Sequence, residues 1–406
     1  MKSLIALTDS PSPLALQTAL AAIRQHLGMH VAYVSKFDGD RSVFQAVDAP
    51  GLEDVIKAGD SRALDDVYCR HILAGRLPEL IPDTTLEPLA MSLPITKAAP
   101  IGSHLSVPIR DKAGTAIGMF CCLSPDANAS LNLRDLQVMR VFADIIGDQM
   151  VRKIEAEREV RALADRIDAV IAGKAFSSVY QPIFNLATMQ PAGVEGLSRF
   201  AGLPYRSPDL WFADAFAAGR GIDLELAAIA VALEPLSALP PPIYLSINAS
   251  ARTIVSGRLA ETLAGLPLDR IVLELTEHEV VEDYDTLLGA LEPLRRGGIR
   301  IAVDDAGAGF ASLQHILRLR PDRIKLDMSL TRDIDSDPAR RALASAMVTF
   351  ARETGAHLIA EGVETRAELG VLMAIGVDKG QGYLLGHPAG LDATIELLRR
   401  GPETAH

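Results

Sequence analysis

Polar side chains that could bind metal ions recur at the ends of apolar runs in the second half of this chain. One run, IAVDDAGAGF at residues 301–310, contains two adjacent aspartates, Asp304 and Asp305. The other runs end in Glu195, Asn248, Glu274, Lys325, Glu361 and Gln381. So many carboxylates cannot crowd together without a cation, because like charges a few ångströms apart take up protons or move apart. The carboxylates and amides are hard oxygen donors, and no Cys or His shares their spacing. Magnesium or manganese therefore fits better than zinc.

The paired aspartates suggest a specific use for such a site. One carboxylate can bridge two divalent ions while its neighbour binds the second ion, as two-metal hydrolysis of phosphate esters requires. Lys325 could then orient a bridging water or stabilise charge that develops on the phosphate. A single acid at a strand end is more often a helix cap or a solvated turn residue. The prediction of two Mg²⁺ or Mn²⁺ ions per site therefore rests on the recurrence of the pattern.

The elements that must position these residues are short strands that alternate with helical segments. The predicted strands are SVYQPIF, PAGVEGLSRF, IYLSIN, RIVLELTE, IRIAVDD, RIKLD, HLIAE and GQGYLLG. Eight strands with intervening helices predict an α/β barrel of the TIM type, (β/α)8, over residues 175–406. Functional residues of such a barrel lie at the C-terminal ends of its strands. A doubly wound open sheet is the alternative architecture.

The first part of the chain has a different pattern. The alternating stretch HLSVPIRDKAGTAIGMFCCLS predicts an antiparallel hairpin, and residues 1–146 as a whole predict an α+β domain with a meandering antiparallel sheet. Residues 147–174 predict a connecting helix. Four of its apolar residues have coiled-coil spacing: Val160, Leu163, Ile167 and Val170. The helix is therefore either a solvated connector or a parallel dimer helix that carries a signal between domains.

The amino-acid composition limits which partners and which cellular compartment we expect for this protein. The chain has 406 residues, with 52 acidic and 40 basic side chains and a formal charge of −12. Neither a nucleic-acid polymer nor a membrane is therefore an expected partner. Only three cysteines occur, and two of them, Cys121 and Cys122, are neighbours, which indicates a reducing compartment. No uncharged apolar run approaches the roughly 20 residues of a membrane span. We therefore expect a cytoplasmic protein.

Seven segments, in order along the second half of the chain, resemble the successive motifs of the EAL domain family. They are EGLSR at 195, INAS at 247, ELTE at 274, DDAGAGFASL at 304, IKLD at 324, AEGVE at 360 and GQGYLLGHP at 380. This family consists of TIM-barrel phosphodiesterases that hydrolyse cyclic di-GMP to linear 5′-pGpG. The resemblance implies that fold, that activity and a first strand antiparallel to the others.

The resemblance also implies a role for individual residues. The implied metal ligands are Glu195, Asn248, Glu274 and Asp304 for a first ion, and Asp304, Asp305 and Glu361 for a second. Lys325 is implied to contact the attacking water, supported by Gln381, so the implied catalytic residues are Lys325, Glu361, Asp305 and Gln381. The implied substrate contacts are Arg199, Glu195, Leu197 and Gln181. Two supporting glutamates complete the set: Glu277, which anchors the loop after Asp305, and Glu364.

The chain departs from the usual EAL motifs at four positions. Gly196 stands where alanine is usual, and His387 stands where arginine is common. In the loop after Asp305, Ala306 replaces a phenylalanine and Ala308 replaces a hydroxyl residue. None of these changes removes an implied metal ligand. Because two of them alter the loop, a catalytically weak or silent cyclic di-GMP receptor or scaffold is the alternative to an active phosphodiesterase.

The N-terminal domain resembles the GAF family through an initial helix, the strands GSHLSVPI and GTAIGMFCCL, and a final helix. GAF domains typically bind small molecules or dimerise. The resemblance implies a regulatory domain with an unknown small ligand or none, in a chain that we expect to form a homodimer.

The stretch GAGFAS offers a third interpretation, a dinucleotide-dependent oxidoreductase. It resembles a G-x-G-x-x-G/A loop except at Ser312, and Asp327 follows at the distance of a ribose-binding acid. Two aspartates, however, stand where the pyrophosphate would approach, and they would repel it. This interpretation is the least favoured of the three.

Overall fold

The computed structural model describes residues 13–201, 205–275, 281, 283–306 and 316–402. Two compact units make up the chain, Met1–Glu159 and Val160–His406. A single helix, Leu133–Ala172, contributes residues to both units. The predicted connector 147–174 therefore lies mostly within a 40-residue helix that begins in the N-terminal unit.

A six-stranded antiparallel sheet forms the centre of the N-terminal unit, in the order β3-β2-β1-β6-β5-β4. Its strands are β1 (Val31–Asp38), β2 (Arg41–Asp48), β3 (Ser61–Ala63), β4 (Leu80–Ile81), β5 (Ser103–Arg110) and β6 (Ala116–Ser124). The helices are α1 (Pro13–His26), α2 (Tyr68–Leu73), α3 (Pro88–Ser92), α4 (Pro94–Ala98) and α5 (Leu133–Ala172). The predicted antiparallel α+β fold is confirmed. The order is not a simple meander, because the last strand, β6, returns to pair with β1.

Two apolar cores cover the two faces of this sheet. One contains Leu20 from α1 and Met139 from α5. The other lies on the opposite face and contains Tyr68 from α2. Because neighbouring strand residues point to opposite faces, Cys121 and Cys122 belong to different cores. Both are buried free thiols.

Eight strands close into a barrel in the C-terminal unit. They are β7 (Phe176–Asn185), β8 (Pro191–Phe200), β9 (Tyr244–Asn248), β10 (Ile271–Leu275), β11 (Arg300–Ala306), β12 (Arg323–Leu326), β13 (His357–Ala360) and β14 (Lys379–Gly380). Neighbouring strands are parallel, except that β7 is antiparallel to both β8 and β14. The TIM-type barrel and its antiparallel first strand are thus confirmed, and closure excludes the open doubly wound sheet.

Helices surround the barrel and follow most of its strands. They are α6 (Pro208–Ala217), α7 (Gly221–Leu233), α8 (Ala251–Val255), α9 (Arg258–Thr262), α10 (Tyr284–Arg296), α11 (Met328–Thr331), α12 (Pro338–Thr354), α13 (Arg366–Ile375) and α14 (Leu391–Arg400). Their apolar faces pack on the outside of the strands in the largest core of the chain. This packing holds the strand ends, and hence the predicted site, in place.

The eighth strand is much shorter than predicted. GQGYLLG was expected to be extended throughout, but β14 ends at Gly380. The chain then turns onto the segment after β13: the Gln381 carbonyl accepts from Val363 N at 3.1 Å, and the Val363 carbonyl accepts from Leu384 N at 3.0 Å. A Cβ at Gly382 would overlap the Val363 backbone. The strand prediction was wrong beyond Gly380 because this close backbone contact draws the chain out of the barrel wall.

An apolar layer crosses the inside of the barrel. It consists of Ile183, Tyr244, Val272, Ala302 and Ile359. Residues two positions apart on a strand share a face, so the next inward side chains towards the C-terminal ends of the parallel strands are polar. Four of these inward residues are Ser246, Glu274, Asp304 and Glu361. The apolar layer therefore forms the floor of the predicted site.

Helix α5 is the longest in the described part of the chain, yet none of the helices there combines the length and apolarity needed to cross a bilayer. Its last turns belong to the C-terminal unit, where Ile167 and Val170 are buried against Phe176 and Trp211. Val160 is 47 % exposed. The predicted coiled-coil stretch is therefore wrong in its second half, because Ile167 and Val170 fill a core of their own unit.

Gly193 on β8 is a position where the barrel depends on the absence of a side chain. An added Cβ would lie 2.5 Å from the ring of Tyr244. We expect Gly193→Ala to destabilise the barrel by about 1–3 kcal/mol, the usual cost of overpacking. The single tryptophan of the chain, Trp211, lies in this unit, so its fluorescence during urea unfolding measures the change.

The control for this substitution is Gly289→Ala, at an exposed position within α10 where an added Cβ meets nothing within 4 Å. It should stabilise the protein by up to about 1 kcal/mol, because alanine is a better helix former than glycine. A Gly193→Ala variant with the wild-type urea midpoint would contradict the close contact with Tyr244.

Candidate active site

Lys325 on β12 lies at the centre of the polar layer. Its side chain is completely buried, and its Nζ lies 2.7 Å from both Glu274 Oε2 and Glu361 Oε1. Asp304 Oδ1 is 3.1 Å away, and Glu195 Oε2 is 3.4 Å away. These carboxylates come from β8, β10, β11 and the residue after β13, so closure of the barrel brings all four to one ammonium group.

A bulge in β11 turns two neighbouring aspartates towards the same site. Carboxylate oxygens of Asp304, Asp305 and Glu361 lie within 4.8 Å of one another, although adjacent strand residues normally point to opposite faces. The backbone of Asp305 is left-handed, with φ of +52°. The pairing of β11 with β12 shifts between Val303 and Ala306. A bulge of this kind re-aims a side chain, and aspartate tolerates left-handed backbone better than most residues.

Hydrogen bonds from amide side chains orient Glu195 within the cluster. Its Oε1 accepts from Asn248 Nδ2 at 3.2 Å, and its Oε2 accepts from Gln381 Nε2 at 2.6 Å. The Gln381 amide also donates to Gln181 Oε1 at 2.9 Å. These contacts fix one carboxylate from β8 relative to residues of β7, β9 and the turn after β14.

Burial and mutual repulsion determine the charge of the cluster. Burial raises the pKa of Glu274 well above its usual range, and the neighbouring Glu195 adds to the rise. Burial likewise raises the pKa of Glu361 to about 8, although Lys325 opposes the change. Burial alone would lower the pKa of Lys325, but the surrounding carboxylates raise it well above its usual range. One ammonium group carries too little charge for four ionised carboxylates, so the cluster favours a further cation.

The donor set fits a divalent metal ion that prefers oxygen ligands. The side chains of Asp304 and Glu361 remain 14 % and 19 % exposed, so an ion could reach them from solvent. Glu274 and Glu195 lie deeper, at 1 % and 6 % exposure. Carboxylates at two depths could therefore hold Mg²⁺ or Mn²⁺ while leaving one side open to a ligand.

A cavity of about 660 Å³ lies beside the cluster. Its walls include Leu197 and Arg199 from β8, Asn248 from β9, and Phe216 and Arg252. The Arg252 guanidinium lies 5.7 Å from the centre of the Phe216 ring. The walls also contain two carboxylates, Asp209 and Glu225, and Glu225 is engaged by Ser250. Arg199 and Arg252 can bind an anionic group of a ligand that also carries apolar surface.

Comparison with known families shows to which family this barrel belongs. The sequence model of the EAL domain matches residues 161–388, more than half of the chain. The chain belongs to the EAL domain family. The GAF domain model matches residues 14–150, which confirms the resemblance of the N-terminal region to that family.

Curated relatives match this chain over part of their own length. The chain is 31 % identical over 261 residues to the cyclic di-GMP phosphodiesterase PA2567 of Pseudomonas aeruginosa, with 60 % of this chain and 43 % of the relative covered. It is 32 % identical over 233 residues to the uncharacterized protein y4lL of Sinorhizobium fredii, with 55 % and 28 % covered. The chain thus spans less than half the length of these two relatives.

Solved structures of EAL proteins share the fold. The EAL enzyme Bd1971, in its form bound to cAMP and cyclic di-GMP, is 20 % identical, with a TM-score of 0.58 over 91 % of this chain and 93 % of that one. The phosphodiesterase PaMucR in complex with cyclic di-GMP is 25 % identical, with a TM-score of 0.52 over 57 % and 99 % of the two chains.

The EAL barrel brings most of the predicted site residues together. Those in the polar layer are Gln181, Glu195, Asn248, Glu274, Asp304, Asp305, Lys325, Glu361 and Gln381. Leu197 and Arg199 line the adjacent cavity. Glu364 Oε1 pairs with Arg332 Nη2 at 2.8 Å, and its supporting role stays a prediction. Glu277 and Ala308 lie outside the described residues, so the predicted loop anchor stays a prediction.

Three departures from the family motifs can be placed in the EAL barrel. A Cβ at Gly196 would lie 3.2 Å from the Cβ of Ala232 on α7, a tight contact for an alanine. Ala306 is completely buried in the core between strands and helices. His387 stacks on Tyr383 with ring centres 4.3 Å apart. Each change therefore has a local packing consequence.

Sequence reasoning missed two residues that hold the site. Ser246 Oγ donates to Glu274 Oε1 inside the barrel, and the available signal was its position two residues before Asn248 on the same strand face. Glu225 on α7 accepts from Ser250 N at 2.7 Å and from Ser250 Oγ at 2.6 Å. It thereby fixes the chain just after β9. Its place in an apolar helix gave no sign of that partner.

Lys325→Met would test the charge balance of the cluster. The variant leaves four carboxylates, two of them buried, without their ammonium partner, and loss of one partner of a buried pair typically costs about 3–5 kcal/mol. In buffer with EDTA we expect a lower urea midpoint by Trp211 fluorescence. Millimolar MnCl2 should restore more stability to the variant than it adds to the wild type, because the ion supplies the missing positive charge.

The matched control is Arg296→Met, which removes a cation from the exposed pair with Glu292. Exposed pairs contribute little to stability, so the urea midpoint should not change. If Lys325→Met unfolded at the wild-type midpoint in EDTA, the ammonium group would not be the partner that keeps the carboxylates together.

Proposed function

We propose that this chain is a metal-dependent phosphodiesterase that hydrolyses cyclic di-GMP to linear 5′-pGpG. The observation that carries the proposal is the convergence of four carboxylates on the buried Lys325. A cavity with Arg199 and Arg252 in its walls adjoins them. The relative PA2567 is named a cyclic di-GMP phosphodiesterase, and the PaMucR structure holds cyclic di-GMP. Both facts support the same substrate for this EAL barrel.

The metal ligands that we propose are Glu195, Asn248, Glu274 and Asp304 for one ion, and Asp304, Asp305 and Glu361 for the other. Two bound Mg²⁺ or Mn²⁺ ions would lower the pKa of a bound water and offset charge on the phosphodiester. Asn248 already donates its amide hydrogen to Glu195, which leaves its carbonyl oxygen as the atom for an ion. One carboxylate oxygen of Glu274 accepts from Lys325 Nζ, and the other accepts from Ser246 Oγ.

The remaining side chains orient the reactants. Lys325 Nζ can donate a hydrogen bond to the attacking water or to a phosphate oxygen that gains charge. Gln381 holds Glu195 in place and can contact the same water. Arg199 can form charge-assisted hydrogen bonds with a phosphate of the substrate. Leu197 and Gln181, which lie on neighbouring strands, would complete the substrate contacts.

A receptor or scaffold that binds cyclic di-GMP without turnover is the second candidate. The observation that favours it is the altered loop after Asp305, where Ala306 and Ala308 replace the usual residues. The intact set of proposed ligands argues for turnover instead. An activity assay on the full chain separates the two candidates.

Hydrolysis and its dependence on Asp304 can be measured together. With cyclic di-GMP and MgCl2 or MnCl2, the full chain should release 5′-pGpG, detected by reversed-phase chromatography. Asp304→Asn should lower kcat by at least about 100-fold, because even residues that only support metal ligands contribute 10–100-fold. Asp335→Asn, the same change at an exposed position, should keep the wild-type rate.

Two results would change this assignment. If the chain bound cyclic di-GMP but released no 5′-pGpG with either MgCl2 or MnCl2, it would be a receptor rather than an enzyme. Turnover that survives both EDTA and Asp304→Asn would contradict the proposed metal site.

We further propose that the GAF domain controls the rate in a cytoplasmic homodimer. The continuous helix α5 supports this, because it contributes residues to both units. Its first half also exposes apolar residues, with Val141 at 59 % and Ile145 at 53 % exposure. A second copy could cover these residues. The proposal does not require a particular ligand in the GAF domain.

Insertions into α5 after Glu155 would test transmission through the helix. Seven inserted residues keep the rotational phase within about 20°, whereas five rotate the following turns by about 140°. We expect the seven-residue insertion to retain the wild-type rate of 5′-pGpG release and the five-residue insertion to change it several-fold. Equal rates for the two insertions would show that the phase of α5 carries no signal.

A further inference from the structure

The other end of the EAL barrel, where the parallel strands begin, contains a second group of charged side chains. Arg323 lies two residues before Lys325 on β12, and alternate strand residues share a face, so both point into the barrel. Lys379 on β14 pairs with Ile359 of the apolar layer and points inward too. Arg323 and Lys379 are the first residues of β12 and β14, so two cations lie inside the barrel where these strands begin.

Arg323 is buried with hydrogen-bonding groups that have no partner. The residue is 5 % exposed, and its guanidinium carbon lies 4.1 Å from the centre of the Tyr244 ring. Within the described part of the chain, its Nε and Nη1 have no hydrogen-bond partner, and neither has Tyr244 Oη. Leaving such groups unpaired is costly, and more so when the group is charged. The geometry therefore provides donors for an acceptor that the described side chains do not supply.

The nearby aspartates are engaged with the backbone. Asp322 Oδ2 accepts from Ile301 N at 2.8 Å, and Asp378 Oδ2 accepts from Leu358 N at 2.9 Å. These bonds fix the starts of β11 and β13. Burial and the positive charge of Arg323 together lower the pKa of Lys379 to about 8, against the opposing effect of Asp378. The positive charges of Arg323 and Lys379 therefore repel each other, and the aspartates compensate this repulsion only in part.

We propose that Arg323, Lys379 and Tyr244 form a binding site for a phosphate-class anion at the N-terminal end of the EAL barrel. A tetrahedral oxyanion can accept from the planar guanidinium, the ammonium and the hydroxyl group together. It would also remove the repulsion between the two cations. None of these three residues is a proposed metal ligand, so phosphate binding can be measured in the absence of metal ions and of the proposed hydrolysis.

Calorimetric titration of the full chain with inorganic phosphate would test the site. EDTA removes divalent ions, and chloride at matched ionic strength corrects for general salt effects. We expect the wild type to bind one phosphate per chain. Arg323→Met and Lys379→Met should each weaken binding about tenfold or more, because each removes charged donors from the anion. Glycerol phosphate in a second titration distinguishes a phosphate monoester from the free anion as the preferred ligand.

The matched control is Arg318→Met, which removes another arginine that stacks on a tyrosine ring, at 5.9 Å from Tyr284. Phosphate affinity should not change in this variant. Arg323→Lys keeps the charge but loses the planar donor pair, so it should bind more weakly with an unchanged urea midpoint. If Arg323→Met does not fold, the phosphate affinity of Arg323→Lys tests the proposal instead.

Three results would overturn the proposal. The first is the absence of phosphate binding by the wild type. The second is equal phosphate affinity in the wild type, Arg323→Met, Lys379→Met and Arg323→Lys. The third is a crystal structure in phosphate with only water at Arg323. Because no metal or cyclic di-GMP is present in the titration, these results leave the proposed phosphodiesterase activity untouched.

Discussion

The buried charge of Lys325 is the interaction on which the functional end of the barrel depends. Removing an ammonium group from water costs several kcal/mol unless well-placed anions surround it. Here four carboxylates do so, but they must come from four different places in the barrel wall. Strand register, barrel closure and the apolar floor therefore all serve one charge cluster. The cluster in turn carries more negative than positive charge, so the geometry that stabilises Lys325 also creates the demand for divalent cations.

The adjacent aspartates show how the chain overcomes the alternation of a β-strand. A regular β11 would send Asp304 into the barrel and Asp305 out of it. The register shift and the left-handed backbone of Asp305 bring the second carboxylate back to the first. Left-handed backbone is unfavourable for a residue with a Cβ, and such conformations persist where surrounding structure over-determines them. The strain thus lies at the position where one strand supplies two of the proposed metal ligands.

Much of this arrangement could be predicted from the sequence, for a physical reason. Strand ends of a barrel meet at one face, so recurring polar residues after apolar runs were sufficient to predict Glu195, Glu274, Asp304, Lys325 and Glu361 as neighbours. The short β14 could not be predicted, because it depends on backbone contact between Gly382 and Val363. Ser246 and Glu225 were missed because their roles are set by partners on other elements. Ile167 and Val170 have coiled-coil spacing, but spacing does not reveal which surface covers an apolar stripe.

The side chains inside the barrel explain why we propose a ligand at each end. The C-terminal end has excess negative charge and suits cations, whereas the N-terminal end has excess positive charge and suits an anion. A TIM barrel is usually filled by several layers of apolar side chains, whereas in the described part of this barrel an apolar layer around Val272 and Ile359 adjoins inward polar side chains. Strand β12 places a cation on each side of that layer, Arg323 and Lys325. At the C-terminal end the cation is outnumbered by carboxylates, which leaves excess negative charge. At the N-terminal end Lys379 adds a second cation while Asp322 and Asp378 bind backbone amides, which leaves donors unused. Because apolar side chains such as Ala302 and Ile359 lie between the two ends, each excess of charge is offset only in part by the other.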